Sequence, residues 1–172
     1  MSVFWPNRPN TECLPNIRYI PREELTTKTT YRVATVEYEP VIPENATPIK
    51  ILLENANRYA QYAAKAAETN AKIIVFPEFG LSSIEDLYST RNELVPFTQH
   101  VPDPRIISWN PCIDPNQYSN AQILHILSCA AHNNSIALLA NLISQEPCSR
   151  QDDSSCPFDG FYLFNTNIQQ SN

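Results

Sequence analysis

The sequence predicts an α/β fold with parallel strands. Two segments with the apolar spacing of an amphipathic helix alternate along the chain with short runs rich in β-branched and aromatic residues. The predicted order is strand, helix, strand, helix, strand, strand, and such alternation requires crossover connections within one sheet. A chain of 172 residues is long enough for one domain with a buried core.

The first strand and the first helix follow a proline-rich segment. Residues 1–30 show no sustained period, and we expect them to form an extended arm. The run at 31–38 is rich in β-branched and aromatic residues and predicts a strand. Thr47 and Pro48 suit the N-cap and the first position of a helix that continues to residue 69. Its apolar stripe consists of Ile49, Leu52, Leu53, Ala56, Tyr59, Ala60, Ala63 and Ala67.

The second predicted strand and the region after it differ in composition. The run KIIVFP at 72–77 contains four consecutive apolar residues before its proline, which is typical of a parallel strand covered on both faces. Residues 80–117 have mixed composition and many prolines. We therefore expect irregular structure there, with short helical pieces.

A second helix and two strands complete the predicted fold. Ser119 or Asn120 can cap this helix, and residues 133–134 suit its last turn. Its inner face is formed by Ile123, Leu124, Leu127, Ala130 and Ala131. The run at 135–143 is almost unbroken apolar and predicts a buried strand. The run at 161–168 alternates enough to predict a strand with one wetter face.

The composition excludes several classes of function. The formal net charge is −6 with only four lysines, which is unsuited to nucleic-acid binding through phosphate neutralisation. Two glycines are too few for a Gly-rich phosphate-binding loop. The histidines and cysteines lack zinc-site spacing, so neither a metal nor another cofactor is expected. No apolar run suits a transmembrane helix, and no signal peptide is visible.

Glu78 is the candidate catalytic residue. Ligand-binding side chains of α/β folds gather at the carboxyl ends of strands, and Pro77 ends the pairing of its strand because proline lacks a backbone N–H. We expect a carboxylate held against Phe76 and Phe79 to be partly desolvated, and desolvation makes a carboxylate a stronger base. Spacing alone favours the alternative, a solvated acid at the end of a strand.

Several phrases resemble the carbon–nitrogen hydrolase (nitrilase) superfamily and, within it, the branch of vanins and biotinidase. The apolar strand ending in Pro-Glu is shared across the superfamily, whereas the later phrases are more specific to the branch. In chain order the phrases are YRVATVEYEP at 31–40, PENAT at 43–47, AKIIVFPE at 71–78, VPDP at 101–104, WNPC at 109–112, LSC at 127–129, NNSIALLAN at 133–141 and CPFDGFYLFNT at 156–166.

The resemblance implies the N-terminal half of an α-β-β-α sandwich that hydrolyses non-peptide amides with a Glu-Lys-Cys triad. Glu78 matches the glutamate, which acts as general base and then as acid. The implied partner is a small-molecule amide: pantetheine, cleaved to pantothenate and cysteamine as in vanins, or a biotin amide or ester such as biocytin, as in biotinidase. A truncated, non-catalytic binding or regulatory protein is the alternative.

The other two members of the triad have no match here. The family's lysine lies shortly beyond the FNT phrase, whereas all four lysines of this chain precede Glu78. None of the cysteines stands at the end of a later apolar strand, where the family's nucleophile lies. We therefore expect residues 31–172 to be a partial domain that is inactive alone. Its exposed sheet would favour self-association.

The late cysteines indicate an oxidising compartment. Cys148 and Cys156 bracket a polar loop of roughly nine residues, whose closure would stabilise the fold by about 2.5 kcal/mol. Cys112 and Cys129 form the second candidate pair, because a bridge would anchor their loop to the following helix. Free buried thiols are the alternative for all four.

Two sequons support the same compartment. Asn45 and Asn133 are glycosylation candidates. Asn133, in the NNS phrase, is the better one, and an asparagine that only ends a helix is the alternative. Together with the resemblance, these features predict an extracellular or cell-surface protein.

Overall fold

The computed structural model describes residues 2–4, 30–83 and 90–170, which form a mixed sheet with the two long helices on one face. The strands are β1 (Ser2–Phe4), β2 (Arg32–Thr35), β3 (Ala71–Val75), β4 (Gln99–His100), β5 (Ala137–Pro147) and β6 (Phe161–Gln170). The helices are α1 (Pro48–Glu68), α2 (Arg91–Leu94) and α3 (Gln122–Asn134), and a 3₁₀ turn spans Val95–Phe97. The predicted α/β class is confirmed.

β5 is the strand to which most of the sheet is attached. The strand order is β1-β6-β5-β3-β2, and β4 also pairs with β5. β2, β3 and β5 are parallel, while β6 is antiparallel to β5 and β1 is antiparallel to β6. β3 pairs with the first part of β5, and β4 pairs with it further along, at Ser144 and Gln145. As predicted, α1 is the crossover from β2 to β3, and α3 leads into β5.

Strand lengths differ from the prediction because partners decide where strands end. β2 ends at Thr35 rather than residue 38, since its partner β3 ends at Val75, shortly before Pro77. β5 extends to Pro147, beyond the predicted end at residue 143, because the antiparallel hairpin with β6 supplies partners along that whole length.

The predicted cap of α3 is wrong. Ala121 is the N-cap residue and makes no side-chain cap bond. Ser119 and Asn120 lie inside a turn that is closed by the Ala121 N–H donating to the Tyr118 carbonyl at 3.0 Å. At α1, Thr47 occupies the predicted N-cap position, again without a side-chain cap bond.

Two short strands occur where the sequence predicts none. Ser2–Phe4 of the predicted arm pairs with β6, and residues 5–29 of that arm lie outside the described residues. β4 falls in residues 80–117, where the sequence predicts irregular structure with short helical pieces, and α2 is one such helical piece. β4 consists of only two residues and forms because they pair with β5, so no local sequence pattern predicts it.

The hydrophobic core lies between the sheet and the pair α1 and α3. Alternate residues of the central strands face the helices and are almost fully buried: Ile74, Leu138, Ala140, Leu142, Thr166 and Ile168. The helices contribute Leu52, Ala56, Tyr59, Ala63, Ile123, Leu124, Leu127 and Ala131. Several of these are alanines, which allow close approach of the backbones.

The other residues of these strands point to the opposite face of the sheet. Asn165, Asn167 and Gln169 of β6 are exposed there, and Val33 of the edge strand β2 is 46% exposed. The expected self-association through this face stays a prediction. Among the described residues, no helix combines the length and apolarity needed to cross a bilayer.

Asn55 of α1 is a buried polar residue that ties three segments together. Its Nδ2 donates to the carbonyls of Ile51, Val41 and Leu81 at 3.0 to 3.1 Å. Its Oδ1 accepts from the Tyr38 hydroxyl at 2.5 Å and from the Val41 N–H at 2.8 Å. Burial raises the pKa of Tyr38 to about 12. Asn55 therefore fixes the segment after β2 and the turn at Leu81 against α1.

Tyr59 lies one turn further along α1 and is also fully buried. Its ring stacks on Phe76, with centroids 3.7 Å apart and planes 10° apart. Its hydroxyl has no hydrogen-bond partner in the described part of the chain. Burial raises the pKa of Tyr59 above its usual value. The ring thus stabilises the core, whereas the unsatisfied hydroxyl opposes folding.

We expect Tyr59→Phe to raise the free energy of unfolding by about 1 kcal/mol, because it removes a buried unsatisfied hydroxyl and keeps the stacked ring. Tyr38→Phe makes the same chemical change where the hydroxyl is bonded to Asn55, and should lower stability by about 1 kcal/mol. Urea unfolding of both variants measures the difference. Equal losses in both would show that the Tyr59 hydroxyl is satisfied.

Candidate active site

Glu78 lies beyond the carboxyl end of β3, where Pro77 has ended the strand ladder. The last ladder bond joins the Phe76 N–H to the Leu139 carbonyl at 3.0 Å. The expected enclosure of Glu78 between Phe76 and Phe79 is wrong, because Glu78 is exposed. Phe76 faces the helices and stacks on Tyr59, so it cannot cover the carboxylate.

A tight turn follows Glu78. Phe79 has φ +57°, which is unusual for an aromatic residue. Its carbonyl accepts from the N–H groups of Ser82 and Ser83 at 3.2 and 2.9 Å. Its own N–H donates to Asn141 Oδ1 at 2.9 Å. The turn is therefore held both from within and by β5.

Two asparagines from neighbouring strands hold the carboxylate. Asn141 of β5 is 3% exposed, and Asn165 of β6 lies beside it on the same face of the sheet. Asn141 Nδ2 donates to Asn165 Oδ1 at 2.5 Å, and Asn165 Nδ2 donates to Glu78 Oε1. We call Asn141 and Asn165 the asparagine relay. It connects the backbone after Glu78 with the carboxylate of Glu78.

Glu78 borders an open cleft of about 600 Å³. The cleft is lined by Glu37, Tyr38, Glu39, Pro40, Ile42, Pro77, Glu78, Phe79 and Ser83. One wall is the segment after β2, which Asn55 fixes to α1, and the opposite wall is the turn after β3. Among the described residues, three acidic side chains and neither a lysine nor a cysteine line this cleft.

The four late cysteines lie in two disulfides. Cys112 is bonded to Cys129 and Cys148 to Cys156, with Cα atoms 4.8 and 5.8 Å apart. The first bridge joins the loop before α3 to that helix, and the second closes the loop between β5 and β6. Both pairs match the candidate pairs from the sequence. None of these cysteines offers a free thiol for nucleophilic chemistry.

Both sequon asparagines are exposed. Asn45 sits in the turn before α1 with φ +55°, and Asn133 lies in the last turn of α3. The helix ends at Asn134, and its C-cap residue Ser135 adopts a left-handed conformation. Within the described ranges, no group of three His, Cys, Asp or Glu side chains is placed to hold a metal ion.

Sequence reasoning missed the asparagine relay. Both residues stand inside phrases that carry the resemblance, NNSIALLAN and FNT, but neither phrase shows that they meet. The signal was available in their placement: a polar residue inside an apolar strand needs a hydrogen-bond partner when it is buried. Asn141 interrupts the run at 135–143 in this way.

The residues that form this site lie in a region that is similar to known proteins. The chain matches the carbon–nitrogen hydrolase family over residues 32–168. It is 38% identical over 124 residues to biotinidase of Homo sapiens, an alignment that covers 72% of this chain and 22% of that protein. It is 30% identical over 146 residues to pantetheinase of Mus musculus (81% and 28%) and 31% over 148 residues to symplectin of Sthenoteuthis oualaniensis (83% and 29%).

Glu78 lies just beyond the carboxyl end of a parallel strand, which is where the ligand-binding groups of open α/β sheets gather. With the match over residues 32–168, the chain belongs to the carbon–nitrogen hydrolase family, in the branch that includes biotinidase and pantetheinase. The predicted resemblance is confirmed. The chain spans between 22% and 29% of the length of these relatives.

The turn after Glu78 leaves no room for a side chain at Gly80. A Cβ atom there would overlap the buried Tyr59 hydroxyl, although Gly80 does not adopt a positive φ. We therefore expect Gly80→Ala to lower stability by about 2 kcal/mol through overpacking. Adding Tyr59→Phe should restore much of this loss, as measured by urea unfolding of the single and double variants.

Gly160→Ala is the matched control. Gly160 has φ +78°, and its added Cβ would lie 3.7 Å from its nearest neighbour, so its cost comes from backbone strain alone. Tyr59→Phe should not reduce that cost. If it rescued both alanine variants equally, steric overlap with Tyr59 would not be the cause at Gly80.

Proposed function

We propose that this chain contributes the general base, Glu78, of an amidohydrolase that cleaves linear non-peptide amides. The observation that supports this most directly is the exposed Glu78 carboxylate, which borders a cleft and is held by the asparagine relay. An ordinary solvated acid needs no such support. Among the described residues, Oε2 has no hydrogen-bond partner and is available to accept a proton.

The proposed chemistry uses Glu78 twice. It first takes the proton of a thiol nucleophile, so that the thiolate attacks the amide carbon and an acyl-enzyme forms as the amine leaves. The protonated Glu78 then gives its proton to the departing amine. In the second half Glu78 takes a proton from water, whose oxygen attacks the acyl carbon. The carbon–sulfur bond then breaks, the acid is released, and Glu78 returns the proton to the sulfur so that the thiol is restored. An oxyanion donor, a lysine by resemblance, stabilises both tetrahedral intermediates.

We propose that the 172-residue chain alone does not complete this reaction. The four cysteines of the described part are in disulfides, and neither lysine nor cysteine lines the cleft there. A base without a nucleophile cannot form the acyl-enzyme. The same observation favours the second candidate, a non-catalytic binding or regulatory protein.

The relatives support two substrate classes for the whole protein. One is pantetheine, cleaved to pantothenate and cysteamine, and the other is a biotin amide such as biocytin. Pantetheinase and biotinidase match this chain over 81% and 72% of its length respectively. We place pantetheine first, with a biotinidase-type activity as the alternative.

The test compares the 172-residue chain with the protein isolated from its natural source, whose intact mass is measured first. Release of cysteamine or of biotin is then assayed in both. We expect no turnover by the short chain, and a loss of kcat/KM of about 10²- to 10⁴-fold when Glu78→Gln is introduced into the active protein. Glu37→Gln, the same change in the same cleft, should keep near-normal turnover.

Two results would contradict this function. Turnover by the purified 172-residue chain would place the nucleophile within it. Near-normal turnover by Glu78→Gln, in protein that folds normally, would remove Glu78 from the role of base. Inactivity of the natural-length protein toward both substrate classes would favour the non-catalytic alternative.

We also propose that the protein functions outside the cell or on its surface. Two disulfides and two exposed sequon asparagines support an oxidising, glycosylating compartment. Expression through the secretory pathway should give N-glycans at Asn45 and Asn133. Peptide mapping after enzymatic deglycosylation would detect them as aspartates, and unmodified asparagine at both positions would count against this location.

A further inference from the structure

The asparagine relay has a direction, and a backbone group sets it. The Phe79 N–H can only donate, so the atom of Asn141 that faces it is Oδ1. The amide nitrogen of Asn141 then faces Asn165 and donates to its Oδ1. Asn165 consequently presents Nδ2 to Glu78, whose Oε1 must accept. The orientation of both side-chain amides therefore follows from one N–H group of the main chain.

Asn141 is held firmly enough to fix this direction. It is 3% exposed and lies in the middle of β5, between β3 and β6. Its Nδ2 also lies 3.2 Å from Asn167 Oδ1 and 3.4 Å from the Thr166 carbonyl, which both accept. Rotating the amide by half a turn would place its oxygen against these acceptors and its NH₂ against the Phe79 N–H. Each of these contacts would then be lost or repulsive.

We infer that Asn141 is a positioning residue that acts through Asn165 to fix the rotation of the Glu78 carboxylate, with Oε1 bonded to Asn165 and Oε2 left without a hydrogen-bond partner among the described residues. A donor hydrogen bond to Oε1 favours the charged form of a carboxylate. It also fixes the rotation of the carboxylate without occupying Oε2. The inference rests on the proposed function, since that function makes the ionised carboxylate the reactive group.

A single isosteric substitution should reverse the relay. Asn141→Asp keeps an oxygen for the Phe79 N–H, so the turn retains its bond. It removes the NH₂ that faces Asn165, and the Asn165 amide can then bond only by turning its own NH₂ toward β5. The Asn165 oxygen would then face Glu78. An ionised carboxylate repels this oxygen, whereas a protonated carboxyl group can donate a hydrogen bond to it.

The experiment follows the side-chain carboxyl carbon of Glu78 by NMR during a pH titration of the ¹³C-glutamate-labelled chain. We expect the titration midpoint in Asn141→Asp to lie higher than in the unsubstituted chain by about one pH unit or more. Exchange of the Phe79 amide proton should stay slow, because its acceptor is retained. That pair of results separates reversal of the relay from general loosening of the turn.

Asn167→Asp is the matched control. It adds the same charge to the same face of the sheet, but Asn167 already acts as an acceptor toward Asn141, so the relay keeps its direction. Glu37 and Glu39 line the same cleft and contribute equally to every variant. We expect the control to move the midpoint by less than a third of the shift in Asn141→Asp. Equal shifts in both would mean that charge alone acts, and would overturn the inference.

A second variant covers the case in which Asn141→Asp fails to fold. Asn165→Asp, at an exposed position, keeps the acceptor for Asn141 and replaces the donor to Glu78 by a like charge, so the midpoint should again rise. An unchanged midpoint would overturn the inference. Because the titration needs no turnover, it can succeed even if Glu78→Gln proves active, and that outcome would reject the proposed function while leaving the relay in place.

Discussion

Parallel pairing between β3 and β5 is the constraint on which the site depends. β3 pairs with residues 137–139 and then stops, because Pro77 cannot continue the ladder. β5 continues past that point, so the chain that leaves β3 runs beside Asn141. Side chains alternate along a strand, and a shift of one residue in this register would turn Asn141 toward the helices. The position of a single carboxylate thus follows from a short stretch of backbone hydrogen bonds.

The helix layer supports the same turn from the other side of the sheet. Asn55 and Tyr59 are one turn apart on α1, and one bonds the Leu81 carbonyl while the other packs beneath Gly80. Both are buried polar residues that an apolar core would not need. Asn55 satisfies its hydrogen bonds completely, whereas Tyr59 leaves its hydroxyl unsatisfied in the described part of the chain. At Tyr59, packing of the ring against the turn therefore takes precedence over a hydrogen bond for the hydroxyl.

Local patterns were sufficient for the main elements and insufficient for the site. The period of α1 and the apolar runs of β3 and β5 are properties of consecutive residues, and the sequence predicts them to within a few positions. β4 exists only because β5 supplies partners, and the cap of α3 was missed because a preceding turn occupies Ser119 and Asn120. Glu78 could be selected as the residue after Pro77. Its exposure, and the asparagines from two distant segments that hold it, depend on tertiary contacts that spacing does not contain.

The loop between β5 and β6 does not line the cleft, but it contributes to the arrangement of the two strands. Cys148 and Cys156 are joined covalently, and the Cys148 N–H donates to the Gly160 carbonyl at 2.8 Å, just before the two strands begin to pair at Pro147 and Phe161. The bridge therefore closes the loop where the ladder between β5 and β6 begins, and this ladder places Asn165 opposite Ile143 and Asn167 opposite Asn141. The loop between the two cysteines is also tied to β6, because the Tyr162 hydroxyl donates to Asp153 Oδ2 at 2.7 Å. A register shift of one residue in β6 would place Phe164 or Thr166 where the carboxylate requires an amide.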